Sequence, residues 1–273
     1  MAFEGYGHAW DGFRLELSSG GVLTLTLDRP DAGNALPSAA IPQLADVFEQ
    51  VAIDPDVRAL LVRGEGDNFC VGGDVKGFAL TINHTAEERH ADYHARMDRA
   101  RRQVTALAAL PCPIVVACQG AVAGAAVAYP LAADIALAEP GTRFVFPHQR
   151  LGLPPDGGLS YFLPRMVGVR KASELALTAA TIDAEEALRL GIISRIVAAE
   201  ELQQAARQLA DRVAALPPDA VRRTRDLLRA SVANDLDMQL RAERDAVAEA
   251  VATDAFVGGV RKFMGSRAAA PAK

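Results

Sequence analysis

Cysteine is scarce: Cys70, Cys112 and Cys118 are the only three among 273 residues, and no two form a CxxC pair. An odd number of thiols cannot all be bridged within one chain, which excludes a disulfide framework and leaves a reducing cytoplasm as the expected location. Surplus positive charge is also lacking. Lys and Arg total 29 against 34 Asp and Glu, a formal net charge of −5, and the isoelectric point is near 5.6. That balance argues against gripping a phosphate backbone, so no nucleic-acid partner is expected. The opening MAFEGYGHAWDGF has neither the basic start nor the apolar run of a secretory signal. An unbroken membrane-length segment is missing too. Ala106 to Ala133 is long enough on a window count, yet Pro111, Pro113 and Pro130 punctuate it and Gln119 with Gly120 divides it. It reads as a buried segment of a chain with no membrane partner.

What remains is a globular composition. Half the residues are hydrophobic and 23% charged, with a mean hydropathy of +0.10, which excludes bulk disorder. A chain of this size buries about three-quarters of its unfolded surface, enough for a core without disulfides or metals.

The front half alternates β-branched runs with amphipathic stretches. GVLTLTL (21–27) is period-2 and stops at the Asp28, Arg29, Pro30 turn signal, so it predicts a strand. Pro37 then opens a helix to about Val51, with Ile41, Leu44, Val47 and Phe48 on one face. Further strands are expected at 59–64, 113–119, 133–139 and 144–146, with a helix over 86–110. From Leu159 onward helical signals dominate, including segments near 199–214, 218–233 and 236–252. The pattern is α/β units followed by a mostly helical C-terminal part, with expected regions 1–200 and 201–273.

Three loops follow strands and combine small residues with a polar group, where an α/β sheet places its ligands. In NFCVGGDV (68–75), Gly72 and Gly73 permit unusual backbone angles that free an N–H for a substrate oxygen. In QGAVAGAAVAYPLAAD (119–134), small residues at Gly124, Ala125 and Ala128 let a helix start close to another backbone or a ligand. In FPHQRLGLPPDGG (146–158), Asp156 lies on a stiff Pro-Pro-Asp-Gly-Gly turn. Each loop alone reads as well as a turn or a close packing contact; together they offer two N–H donors and one carboxylate. His90 and His94 have helical i, i+4 spacing but no third ligand at a fixed spacing, so a solvated helix face is expected and no metal.

Taken in order, RPDAGNAL (29–36), NFCVGGDV, QGAVAGAAVAYPLAADIALA, FPHQRLGLPPDGG and TIDAEEALRLGIISRIV (181–197) resemble the enoyl-CoA hydratase/isomerase (crotonase) superfamily over about residues 13–265. The resemblance implies a spiral of β-β-α units with a helical C-terminal trimerisation region, a homotrimer or a hexamer of two trimers. It also implies an acyl-CoA thioester substrate with no permanently bound cofactor. Gly73 and Ala125 match the two oxyanion-hole positions, the second usually glycine. Arg29, Ala32, Val71, Asp74 and Val75 match positions around the nucleotide and pantetheine arm, with Arg267 reaching the phosphates from a C-terminal helix.

The acid/base positions depart from the family's hydratases. Their two glutamates are replaced by Ala128 and His148. Asp156 matches the catalytic aspartate of the ring epoxide/oxepin isomerases of phenylacetate degradation, which the string GLPPDGGLSYFLPRMVG resembles most. One carboxylate between apolar neighbours Leu153, Pro154, Leu159 and Phe162 is suited to moving a proton, hence a double-bond isomerase. His148 is open between a second acid/base and a polar wall residue. The alternatives are a hydratase that recruits His148 with Asp156, and a non-catalytic acyl-CoA-binding protein.

Overall fold

The computed structural model describes residues 5–74, 77 and 79–268, without the side chains of 266–268. It divides into two compact units, Met1–Ala214 and Ala215–Lys273.

In the first unit, β1 (Ala9–Trp10), β2 (Gly12–Leu17) and β3 (Val22–Asp28) form an antiparallel meander. From β3 the sheet continues in parallel through β4 (Ala59–Gly64), β5 (Ile114–Cys118), β7 (Ile135–Ala138) and β10 (Arg195–Ile196). A smaller sheet holds β6 (Ala121–Ala123), β8 (Arg143–Val145) and β9 (Thr181–Asp183). Single parallel bridges between Leu36 and Gly73, and between Cys70 and Val122, join two further segments to this layer. The expected spiral is therefore present. Each pass lays a strand in the large sheet and then a short rung in the second layer: β3 then Leu36, β4 then 70–73, β5 then β6, β7 then β8.

The period of two assigns the strand side chains to two cores. Leu23, Leu25, Leu60, Val62, Ile114 and Val116 face the main core. Alternate residues Val22, Ala59, Leu61, Val115, Ala117 and Leu137 face the reverse side. There the helix Leu202–Ala214 lays down Leu202, Ala206, Leu209, Ala210 and Ala214. Because it seals the back of the sheet, that helix is part of the first unit. The division between the two units falls after Ala214.

Numbered in chain order, the helices are α1 (Ala40–Val51), α2 (Ala86–Ala109), α3 (Ala128–Ala132), α4 (Leu159–Val167), α5 (Val169–Leu177), α6 (Ala184–Arg189) and α7 (Leu202–Ala214). Helix α1 begins three residues later than Pro37 predicts, because Pro37 and Ser38 form a turn in which Ala40 N–H bonds to Pro37 O. Helix α2 opens on a capping box: Thr85 Oγ1 accepts from Glu88 N–H at 3.2 Å and Glu88 accepts from Thr85 N–H at 2.8 Å. The Thr85 hydrogen bonds hold the Glu88 carboxyl below its ordinary range.

The second unit contains α8 (Pro218–Ala230), α9 (Leu236–Val251) and α10 (Asp254–Ala268). Asp235 caps α9 by accepting from Met238 N–H at 2.8 Å, and Gln239 donates to Leu227 O at 3.0 Å. Leu228, Leu236, Val247, Phe256 and Phe263 of this unit are exposed. No helix among the described residues is long and apolar enough to cross a membrane.

Candidate active site

The second layer fixes the direction of the Gly73 amide. Leu36 N–H donates to Gly72 O at 2.9 Å, and Asp74 N–H donates to Leu36 O at 3.3 Å. Both bonds of this parallel rung are made by the neighbours of Gly73, so its own N–H points away from Leu36. The next rung is closed by Cys70 N–H to Ala121 O at 3.1 Å and Ala123 N–H to Cys70 O at 2.9 Å. Gly72 sits at φ +96°, and a Cβ there would lie 2.8 Å from Ala123 O, so only glycine allows this approach.

Ala125 occupies the first turn of a 3-10 helix, Gly124–Val127, where an N–H has no acceptor within the helix. It lines the same cavity as Gly73, with a volume of about 190 Å³. Ala128, one turn on, lines that cavity too.

The third loop is set by a 3-10 helix, His148–Leu151, that ends on Gly152 in the left-handed region. Leu153 N–H bonds to His148 O at 3.0 Å, which turns the chain back toward the cavity. His148 Nε2 and Asp156 Oδ1 lie 3.0 Å apart, and both residues line the cavity. The side chains are 9% and 36% exposed respectively, so the imidazole belongs to the wall while the carboxylate keeps an open face. Asp156 does not cap α4: its main-chain oxygen accepts from Leu159 N–H, and its side chain is directed to His148. Gly157, at φ +60°, approaches Ala125 so closely that a Cβ on it would stand 2.6 Å from Ala125 Cβ. The carboxylate loop and the amide loop are thus in direct contact.

Behind these groups the wall is α2. Gln103 donates to the Tyr129 hydroxyl at 3.1 Å, and burial pushes the Tyr129 pKa well above its ordinary value. Burial likewise pushes the Cys70 thiol up to about 12, with Sγ 3.0 Å from Asn34 O. Asn34, itself left-handed at φ 57°, bonds to Arg29 N, Glu65 O and Asn68 O at 2.8, 2.9 and 2.7 Å.

Arg29, Ala32, Val71 and Asp74 are gathered at one rim of the first unit. Val71 N–H bonds to Gly33 O at 3.0 Å, and Arg29 reaches Asp74 at 3.5 Å. Val71 and Asp74 line the cavity; Arg29 and Ala32 stand outside it, with Arg29 also donating to Ala35 O at 3.0 Å. Val75 lies outside the described residues, and Arg267 is on α10, its side chain likewise not described.

Several neighbours differ from expectation. Leu153 and Phe162 line the cavity, but Pro154 is exposed and Leu159 is turned into the core. Tyr161 is exposed with Arg165 stacked 3.6 Å from its ring centroid, because it is on the outer face of α4. Among the described residues of 76–92 none lines the cavity; along α2 the wall begins at Tyr93. His90 and His94 belong to no metal-capable cluster among the described residues. The residues missed from sequence are Asn34, Cys70, Gln103 and Tyr129. Only Asn34 carried a local signal, the Gly-Asn turn pair within RPDAGNAL.

Known proteins are similar to this chain in sequence and fold. The family model described as Enoyl-CoA hydratase/isomerase matches residues 18–270. The 1,2-epoxyphenylacetyl-CoA isomerase of Escherichia coli K12 is 34% identical over 247 residues, covering 90% of this chain and 93% of that protein. The carnitinyl-CoA dehydratase of Proteus mirabilis is 34% identical over 213 residues, 78% of each chain. A crystal structure of an enoyl-CoA hydratase from Polaromonas sp. JS666 superposes with a TM-score of 0.82 at 28% identity, covering 93% of this chain and 97% of that one.

Proposed function

The chain belongs to the enoyl-CoA hydratase/isomerase family and has its crotonase fold, and from that premise we propose that it is an acyl-CoA isomerase, shifting a double bond or remodelling an unsaturated ring. The observation that carries this is the meeting of the Asp156 loop with Ala125 in the cavity that Gly73 also lines.

The thioester oxygen would accept from the Gly73 and Ala125 amides. Asp156 removes a proton from the α-carbon of a 3-enoyl thioester, and the electron pair spreads over the C3–C4 double bond and onto that oxygen. The two donors hold the dienolate, at about 3 kcal/mol for each. The protonated Asp156 returns the proton to C4, giving the 2-enoyl thioester with no net loss or gain of atoms. His148 holds Asp156 through Oδ1 and leaves Oδ2 for the substrate. Arg29, Ala32, Val71, Asp74, Val75 and Arg267 would meet coenzyme A, the last from a neighbouring subunit. The exposed apolar residues of α8 to α10 support a trimer or a pair of trimers. The buried free thiols support a reducing compartment.

A second reading, hydration of a 2-enoyl thioester, is favoured by the His148–Asp156 contact, which would give the site a second proton-carrying group beside the carboxylate. Turnover of 3-enoyl-, 2-enoyl- and ring-derived CoA thioesters in deuterated water, followed by mass spectrometry, separates the two. The isomerase incorporates deuterium at C2 or C4 without oxygen, and Asp156→Asn lowers kcat by about 10³-fold while acyl-CoA still binds. Equal turnover by wild type and Asp156→Asn ends the shuttle; incorporation of solvent oxygen replaces isomerisation by hydration.

A further inference from the structure

The charged side chains of the cavity are paired, with one exception. Asp156 meets His148 at 3.0 Å, Asp74 meets Arg29 at 3.5 Å, and Arg96 meets Asp92 at 2.8 Å. Carboxylates near the same stretch of α2 are also taken: Asp98 by Arg101 at 2.9 Å, and Asp46 with Glu49 by Arg102 at 2.7 and 2.6 Å. Arg99 lines the cavity half-buried and, among the described residues, its side chain has neither a hydrogen bond nor an ion pair.

Its surroundings make this unusual. Met97, Ala100, Val104 and Leu107 form the apolar part of the same wall. A guanidinium partly removed from water beside such a surface keeps its desolvation penalty until an anion supplies the missing bonds. Guanidinium is also the side chain whose planar donors fit a carboxylate two at a time. Val104 lies against Gly158, two residues from Asp156, with 3.0 Å between its Cγ1 and an ideal Cβ on that glycine. Arg99 is one and a half turns before it, about 7.5 Å along the helix. A short acyl chain whose α-carbon is at Asp156 spans that length. The rim expected to meet coenzyme A, by contrast, is built from residues 29–35 and 71–74.

We propose that Arg99 selects acyl-CoA substrates whose acyl chain ends in a carboxylate, dicarboxylic thioesters in place of simple fatty ones. This rests on the acyl-CoA reading of the cavity and names its substrate class.

The test is calorimetric binding of saturated, unreactive ligands to the whole protein: glutaryl- and adipoyl-CoA against valeryl- and hexanoyl-CoA, with free coenzyme A as reference. The wild type should prefer the acidic member of a pair by about 10- to 100-fold. Arg99→Met should erase the preference while binding free coenzyme A within about twofold of wild type, and Arg99→Lys should retain part of it. An unpreferring wild type overturns the proposal. So does an Arg99→Met variant that weakens every ligand equally, since the guanidinium would then serve the coenzyme A phosphates. If no thioester binds at all, the acyl-CoA reading itself fails, an outcome distinct from binding without preference.

Discussion

The contact between Gly157 and Ala125 can be tested by adding one methyl group and then making room for it. In Gly157→Ala the new Cβ would meet Ala125 Cβ at 2.6 Å and Ala125 Cα at 3.0 Å, so one of the loops must move by several tenths of an ångström or more. The residue must also stay at φ +60°, a left-handed conformation that costs alanine about 1 to 2 kcal/mol. Overpacking adds about 1 to 3 kcal/mol if the methyl is accommodated. Together these predict a stability loss of about 2 to 5 kcal/mol. They also predict a larger effect on turnover than on binding, since a misplacement of about 1 Å between reacting groups costs about 10²-fold. Ala125→Gly removes the nearer obstacle and leaves the amide donor in place. The double variant should therefore recover about tenfold in kcat over Gly157→Ala, with the left-handed penalty still visible in denaturant unfolding. Isomerase turnover and urea titration of the four proteins give the coupling. Strictly additive losses in both measurements would refute the idea that the two loops set each other's position.

Two further outcomes follow from groups deeper in the site. Asn34→Ala removes the side chain that bonds Arg29 N, Glu65 O and Asn68 O. Urea unfolding should show a loss of about 2 to 4 kcal/mol, more than a single hydrogen bond provides. The Cys70 thiol, raised by burial from its ordinary 9.0 to about 12, stabilises the fold while it is neutral. That contribution is complete below about pH 9 and disappears as pH rises toward 12. The wild-type melting temperature should therefore fall more steeply across this alkaline window than that of Cys70→Ala, and parallel curves would exclude the linkage.

The strands were legible because burial on both faces leaves continuous apolar runs, and 59–64 is observed with the bounds its sequence predicts. Short second-layer rungs such as Ala121–Ala123 and Thr181–Asp183 carry no such run: three residues bury too little side chain to leave a period. The role of 202–214 as a cover for the back of the sheet was hidden because an amphipathic helix shows that it has an apolar face, never which surface receives it. At the site, Gly73, Ala125 and Asp156 were visible as loop residues after strands. The pairing of His148 with Asp156 was not, since it depends on how a Gly152 turn and two prolines fold an eight-residue interval back on itself. Arg99 was equally hidden, because its distinction is the neighbour it lacks.

The rungs of the second layer, one carrying Gly73 and one leading into the turn of Ala125, also act as a ruler. Neighbouring extended segments stand about 4.8 Å apart, a spacing imposed by main-chain bonding and indifferent to side-chain identity. If Gly73 and Ala125 hold an anionic oxygen as proposed, side chains around them such as Ala128 and His148 can be exchanged while the spacing of the frame persists. Chemical novelty in such a scaffold comes from re-equipping the walls around a measuring frame that point mutation scarcely reaches.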